Sequence, residues 1–128
     1  GLNTKDEWII HCDSGDYEDG RKRSERLVNS KEIDGLFAAT DMLAIGAIKN
    51  AKKAGLTVPG DLSVVGFSNW SIGTLYEPSL STMSQPGYEM GLKAAELLIK
   101  QIDNPDQMVN ETVVLKSELI VRESSVSD

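Results

Sequence analysis

Short apolar runs alternate with longer amphipathic ones along this sequence, and that alternation restricts the chain to an α/β fold with a largely parallel sheet. Trp8-Ile9-Ile10-His11-Cys12 reads as a first strand, Gly35–Thr40 as a second, Leu62–Phe67 as a third and Leu80–Ser84 as a fourth. Asp16 is placed to cap a helix over Tyr17–Asn29, whose only plausible buried stripe is Gly20, Ser24, Leu27 and Val28. Asp41 is placed to cap a second helix, which stops at Lys52-Lys53-Ala54-Gly55 because cations and a glycine suit a helix C-terminus. Val58-Pro59-Gly60-Asp61 is a turn, and Ser68–Ser79 an irregular connection too apolar, at Trp70, Ile72, Leu75 and Tyr76, to be a free linker.

Past Pro86-Gly87 the spacing predicts an amphipathic helix over Tyr88–Ile102. Tyr88, Gly91, Leu92, Ala95, Leu98, Ile99 and Ile102 share one face, with Glu89/Lys93 and Glu96/Lys100 as i,i+4 pairs elsewhere. Asp103-Asn104-Pro105-Asp106 ends it, and Thr112–Arg122 supplies the last extended segments. A length of 128 residues fits one domain, and 40% hydrophobic with 26% charged residues describes an ordered globular chain. The net charge of -7 repels phosphate backbones, so any contact with nucleic acid must come from another part of a parent protein. The single cysteine, Cys12, cannot form an internal disulfide, which suits a reducing compartment; no run approaches a membrane span. A start at Gly1 without a signal-peptide pattern reads as an internal fragment or a processed chain.

Catalytic and metal chemistry find no footing in these residues, so no enzyme, cofactor or metal site is expected. His11 and Cys12 are neighbours on a strand and point to opposite faces, so they cannot grip one ion together. No nucleophile elbow and no phosphate-cradling glycine loop is present. The acidic cluster Asp13, Asp16, Glu18 and Asp19 fails calcium-loop spacing, because Gly15 stands where a second ligand belongs; a capped helix start with solvated acids accounts for it. What remains is a set of strand ends, Asp13–Gly15, Thr40-Asp41 and Ser68-Asn69-Trp70, which a parallel sheet lines up along the edge where small ligands bind. Asp41 as a mere helix cap, and Ser68 and Asn69 as a mere turn, is the alternative.

Two long strings, Asp34-Gly35-Leu36-Phe37-Ala38-Ala39-Thr40-Asp41-Met42-Leu43-Ala44-Ile45-Gly46 and Ala54–Phe67, closely resemble the effector-binding core of LacI/GalR transcription regulators. Pro78–Thr82, Gln85-Pro86, Gly91 and Glu118-Leu119-Ile120-Val121-Arg122 continue the match in order over nearly the whole chain. The resemblance implies a periplasmic-binding-protein-like, three-layer α/β/α lobe related to flavodoxin and Rossmann folds. By it, residues 1–84 and 112–124 belong to the second of two lobes, and residues 86–108 form a crossover helix of the first. It further implies a cytoplasmic regulator that binds a sugar-like effector, and operator DNA through a helix-turn-helix lying outside this chain. A transporter's periplasmic sugar receptor shares the fold and is the runner-up, but the string Val58–Phe67 is typical of the regulators.

The implied ligand site gathers Thr40, Asp41, Ser68 and Asn69, with Asp13 on the same edge and Tyr17 and Trp70 as stacking surfaces. Two positions depart from the family: Thr40 replaces the usual asparagine, and Ser68 replaces the first aspartate of a glycine–aromatic–aspartate–aspartate pattern. Hydroxyl and amide groups donate as well as accept, so a polyol or sugar derivative fits. In the helix after Asp41, Ala44, Ala47, Ile48 and Ala51 form the stripe for the sheet, whereas Met42 and Ile45 fall off it and call for a second covered surface. Family members dimerise through this helix and the following connection, which implies a homodimer with Met42, Ile45, Ile72, Leu75 and Tyr76 near its axis. A connection folded back over Ile45 within one chain is the alternative.

Overall fold

The computed structural model describes residues 5–105 and 111–126 of the chain. They fall into two units, Gly1–Ser84 with Leu119–Asp128, and Gln85–Glu118. The order is α1 (Tyr17–Ser30), β1 (Gly35–Phe37), α2 (Asp41–Lys53), β2 (Ser63–Phe67), α3 (Ile72–Leu75), β3 (Ser81–Ser84), α4 (Gly87–Asp103) and β4 (Glu118–Ile120). Sheet order is β1-β2-β3-β4, with β1, β2 and β3 parallel; Leu36 lies opposite Val64, and Val65 opposite Ser81. Among the described residues, no helix is long and apolar enough to cross a membrane.

The expected first strand does not form. Asp6–Trp8 make one 3₁₀ turn, and Ile9–Cys12 have no regular structure, with Ile9, His11 and Cys12 exposed. A strand is a pairing as much as a composition, and β1 pairs with β2 only. The remaining strands occupy the expected places but are shorter, β1 ending at Phe37 and β3 starting at Ser81. The Ser68–Ser79 connection contains the short helix α3.

In the first unit α2 is sandwiched between α1 and β2, and is therefore buried almost all round. The very polar α1 covers it with the narrow stripe expected, Gly20, Ser24, Leu27 and Val28, joined by Asp19. The two helices meet backbone to backbone. A Cβ on Gly46 would stand 2.5 Å from Tyr17 O and Arg21 N, and one on Gly20 2.5 Å from Leu43 O. Asn50 secures the crossing, donating to the Arg21 carbonyl and, at 3.0 Å, to Ser24 Oγ.

This sandwich corrects the reading of Ile45. It is 4% exposed and belongs to the core with Ile48, Leu62, Val64 and Leu80, while Tyr17, Met42 and Tyr76 pack along the core's margin. Ile45 thus needs no second copy to cover it. Fully burying a side chain such as Ile48 or Leu62 contributes about 1.5–3 kcal/mol.

The sheet is fastened by a buried serine far along the chain. Ser124 Oγ donates to Val64 O at 2.6 Å and accepts from Ser81 N at 2.8 Å, while its backbone bonds Val64 N and Ser79 O. In the second unit α4 matches the expected helix to within a residue, and none of its residues is buried; Tyr88, Met90, Leu92, Leu98, Ile99 and Ile102 are exposed. Lys93 pairs with Glu96 at 3.3 Å instead of with Glu89. Asp106, expected to end the helix, and residues 106–108 of the expected crossover lie outside the described residues.

The close helix crossing makes Gly46→Ala a strong test. Methyl insertion between two backbones is expected to lower stability by about 1–3 kcal/mol. Gly35→Ala, with nothing within 4 Å of its new Cβ, is expected to change it by less than about 0.5 kcal/mol. Chemical denaturation of both variants checks the contrast.

Candidate functional site

The site grows from the carboxyl ends of β1, β2 and β3. Thr40, not Asp41, is the N-cap of α2: its hydroxyl accepts from Leu43 N at 3.1 Å and donates to Gly15 O at 2.7 Å. One hydroxyl thereby starts the helix and ties down the Asp13–Gly15 loop.

Asp41, expected as the cap and as a ligand-facing group, is instead 1% exposed and wholly engaged by the chain. One carboxylate oxygen accepts from Trp70 N at 2.6 Å and the other from Thr82 Oγ1 at 2.5 Å. Gly66 makes room for it, since a Cβ there would lie 2.4 Å from Asp41 Oδ1. A glycine inside a strand is a sign of close approach, and it is the sequence signal for this arrangement. The Thr82 signal is weaker, since it is one of three hydroxyl residues in β3.

Ser68-Asn69-Trp70 turns sharply after β2. Ser68 has φ 122° and Asn69 φ 55°, both in the region that favours glycine, at about 1–3 kcal/mol per non-glycine residue so held. Neighbours hold the turn: Ser68 N donates to Met83 O at 2.9 Å and Asn69 N to Thr82 Oγ1 at 3.3 Å. Arg122, which sequence reasoning did not single out as a site residue, donates to Asn69 Oδ1 at 2.8 Å and to Leu80 O at 2.6 Å. Nothing in its spacing signals this, because 53 positions separate it from Asn69.

Asp13–Gly15 form a nest of three N–H groups, and the chain fills it itself. Asp19 Oδ2 accepts from Asp13, Ser14 and Gly15 at 2.6, 2.9 and 3.3 Å, and Arg23 bonds Asp13 and Asp19. Backbone donation, from Ser14 above all and then Gly15 and Asp13, holds the Asp19 carboxyl below the usual aspartate range. Asp16, the α1 cap, is lowered chiefly by the Asp19 N–H.

The fold thus gathers Thr40, Asp41 and Ser68–Trp70, with Gly15 joined through Thr40. Tyr17 is half-buried against the core and Trp70 is 57% exposed. Phe37 and Phe67 meet edge to face nearby, centroids 6.4 Å apart. Two surface depressions lie elsewhere. One, of about 520 Å³, is lined by Lys52, Leu56–Pro59, Glu77 and Pro78 at the opposite ends of the strands; the other, of about 360 Å³, by the charged residues of 13–23, Asp13 among them. Among the expected dimer residues, Ile72 and Leu75 are 43% and 82% exposed, and Tyr76 lies under the Lys52 ammonium at 5.9 Å.

This architecture defines a class. The sequence profile of the periplasmic binding protein-like domain matches residues 3–125, and the chain belongs to that family, with the three-layer α/β/α fold expected. Its relatives are LacI-family transcription regulators. The regulator MalR of Clostridium butyricum is 37% identical over 126 residues, 96% of this chain and 36% of the relative. A transcriptional regulator CelR in complex with cellobiose superposes with a TM-score of 0.85 at 28% identity, over 95% of this chain and 37% of its own. A LacI-family regulator from Enterococcus faecium with bound ribose gives 0.74 at 30%, over 86% and 40%. The chain spans about a third of the length of the curated relatives it matches.

The lowered Asp19 carboxyl sets a pH dependence. Its folded-state value lies below the unfolded one, so the stabilisation is complete above the ordinary aspartate value of about 3.9 and disappears as pH falls through the folded value. Asp19→Asn is therefore expected to be less stable than wild type at pH 7 and to converge on it toward pH 2. Urea titrations at several pH values check the convergence.

Proposed function

We propose that this chain is the larger part of one lobe of the effector-binding region of a LacI-type transcription regulator, and that it binds a sugar or sugar derivative without catalysis. The observation that carries the reading is the convergence of Thr40, Ser68, Asn69 and Trp70 at the carboxyl ends of adjacent parallel strands, in a chain whose relatives are regulators. On this reading residues 86–108 belong to the first of the family's two lobes. Ligand binding then changes DNA affinity through contacts that differ between the free and the bound states. Operator DNA is contacted through a segment outside this chain, in the cytoplasm.

In the full-length protein, thermal shift with neutral and acidic mono- and disaccharides, including ribose and cellobiose, is expected to find a stabilising ligand, worth about 2.7 kcal/mol at a hundred times Kd. Ser68→Gly removes the hydroxyl while suiting the φ of 122°, and is expected to weaken that ligand. A panel with no stabilising member overturns the reading.

The regulator is further proposed to work as a homodimer, with Ile72 and Leu75 buried at the two-fold axis beside Met42 and Tyr76. The support is the exposure of two large apolar side chains on α3. Ile45 lies inside the chain, so substituting it would test folding and not assembly. Sedimentation of full-length wild type and Ile72→Asp/Leu75→Asp is expected to show a dimer and a monomer. A monomeric wild type, or a dimeric variant, refutes the interface.

A further inference from the structure

We infer that Arg122 is a positioning residue that turns the Asn69 side-chain amide oxygen-inward, so that the loop after β2 meets its ligand with an N–H donor and selects a sugar acid over the neutral sugar. The inference rests on the ligand edge proposed above and names the chemistry that edge prefers.

A guanidinium only donates hydrogen bonds, so the Asn69 atom 2.8 Å from Arg122 Nη2 must be the amide oxygen. The reverse orientation would set donor against donor. Arg122 is itself fixed. Nη1 donates to Leu80 O at 2.6 Å, its backbone N–H donates to Ser81 Oγ at 2.7 Å, and its carbonyl accepts from the same hydroxyl at 2.9 Å. Asn69 Nδ2 then faces the carboxyl end of β3, where Ser84 Oγ at 3.5 Å is its one hydrogen-bond partner among the described residues. The second amide hydrogen is left for a ligand.

The hydrogen-bonding groups at the loop point the same way. The neighbouring Asp41 carboxylate is buried with both oxygens accepting from Trp70 N and Thr82 Oγ1, so it offers a ligand no acceptor, and Ser68 brings a hydroxyl only. Arg122 is half-buried and forms no ion pair among the described residues; its side chain meets a carbonyl and an amide oxygen, both neutral. A guanidinium bonded to the amide oxygen polarises the Asn69 N–H, and a polarised donor favours an oxygen that accepts and carries negative charge, which a sugar carboxylate supplies and a hydroxyl does not. The loop backbone is held independently, by Thr82, Met83 and Asp41, so losing the guanidinium frees the amide without undoing the turn.

Calorimetry on the full-length protein with D-glucose against D-glucuronate, and D-galactose against D-galacturonate, tests the selection. At least one uronate is expected to bind about tenfold or more tighter than its hexose. Asn69→Asp keeps an acceptor for Arg122 but removes the donor and adds charge, and is expected to abolish that preference. Arg122→Met is expected to lose it and Arg122→Lys to restore part of it. Hexoses binding as well as uronates, or uronate binding indifferent to Asn69→Asp, overturns the inference. If other sugars of the panel bind but none of these four does, the sugar reading stands and the sugar-acid assignment falls; if no sugar binds, the ligand edge itself is wrong. The amide orientation is read without ligand, from the Asn69 side-chain resonances of ¹⁵N-asparagine-labelled protein. They are expected to change in Arg122→Met and return toward wild type in Arg122→Lys, and unchanged signals refute the positioning role.

Discussion

The Asp41 carboxylate joins three pieces of chain that the sequence sets far apart: the first turn of α2, the turn after β2 and the strand β3. Burying a carboxylate away from water is costly unless its oxygens are satisfied, and here both accept short hydrogen bonds at the positive end of a helix. Gly66 is the condition for it, because any side chain on β2 at that point would occupy the space of the carboxylate. With Asp41 in place Trp70 N is fixed, Thr82 is oriented and can in turn accept from Asn69 N, and the strained backbone at Ser68 and Asn69 has no freedom to relax. The polar edge is therefore shaped by a group that does not face it.

A second constraint acts from the other side of α2. Gly20 and Gly46 let α1 and α2 approach until backbone meets backbone, so a helix as polar as α1 can cover α2 with only a narrow apolar stripe. That proximity also brings the Asp13–Gly15 loop within reach of Thr40. The nest in that loop is filled by Asp19 from the same helix, which leaves its N–H groups committed within the chain. The loop contributes shape to the edge, and the side-chain donor offered there is the Asn69 amide that Arg122 holds.

Periodicity and capping were sufficient for the features that depend on local spacing. Asp16 as a cap, the Gly20–Ser24–Leu27–Val28 stripe and the span of α4 could each be read from a few neighbouring residues. Three features were not legible, for separate reasons. Trp8–Cys12 has the composition of a strand, but its order depends on a ladder partner that composition does not report. Ile45 falls off the stripe that faces the sheet, yet a helix covered on two sides has no exposed face to fall onto. Thr40 and Asp41 are both good caps by residue type, and only the space above Gly66 decides that the second is drawn inward and the first caps. The site was legible as a row of strand ends, while the partners fixing it, Thr82 and Arg122, come from long-range packing.

Ser124 gives the first unit a temporal order. Its hydrogen bonds to Val64, Ser79 and Ser81 span 43 to 60 positions, so the seam they close stays open until residues beyond Leu119 arrive. On a ribosome, α1, α2 and β2 emerge early and can collapse locally, while β2 and β3 wait for the fastening made by the returning segment. The interval is filled by synthesis of Gln85–Glu118. During that interval the backbone groups of Val64 and Ser81 lack the partners that Ser124 gives them in the finished protein.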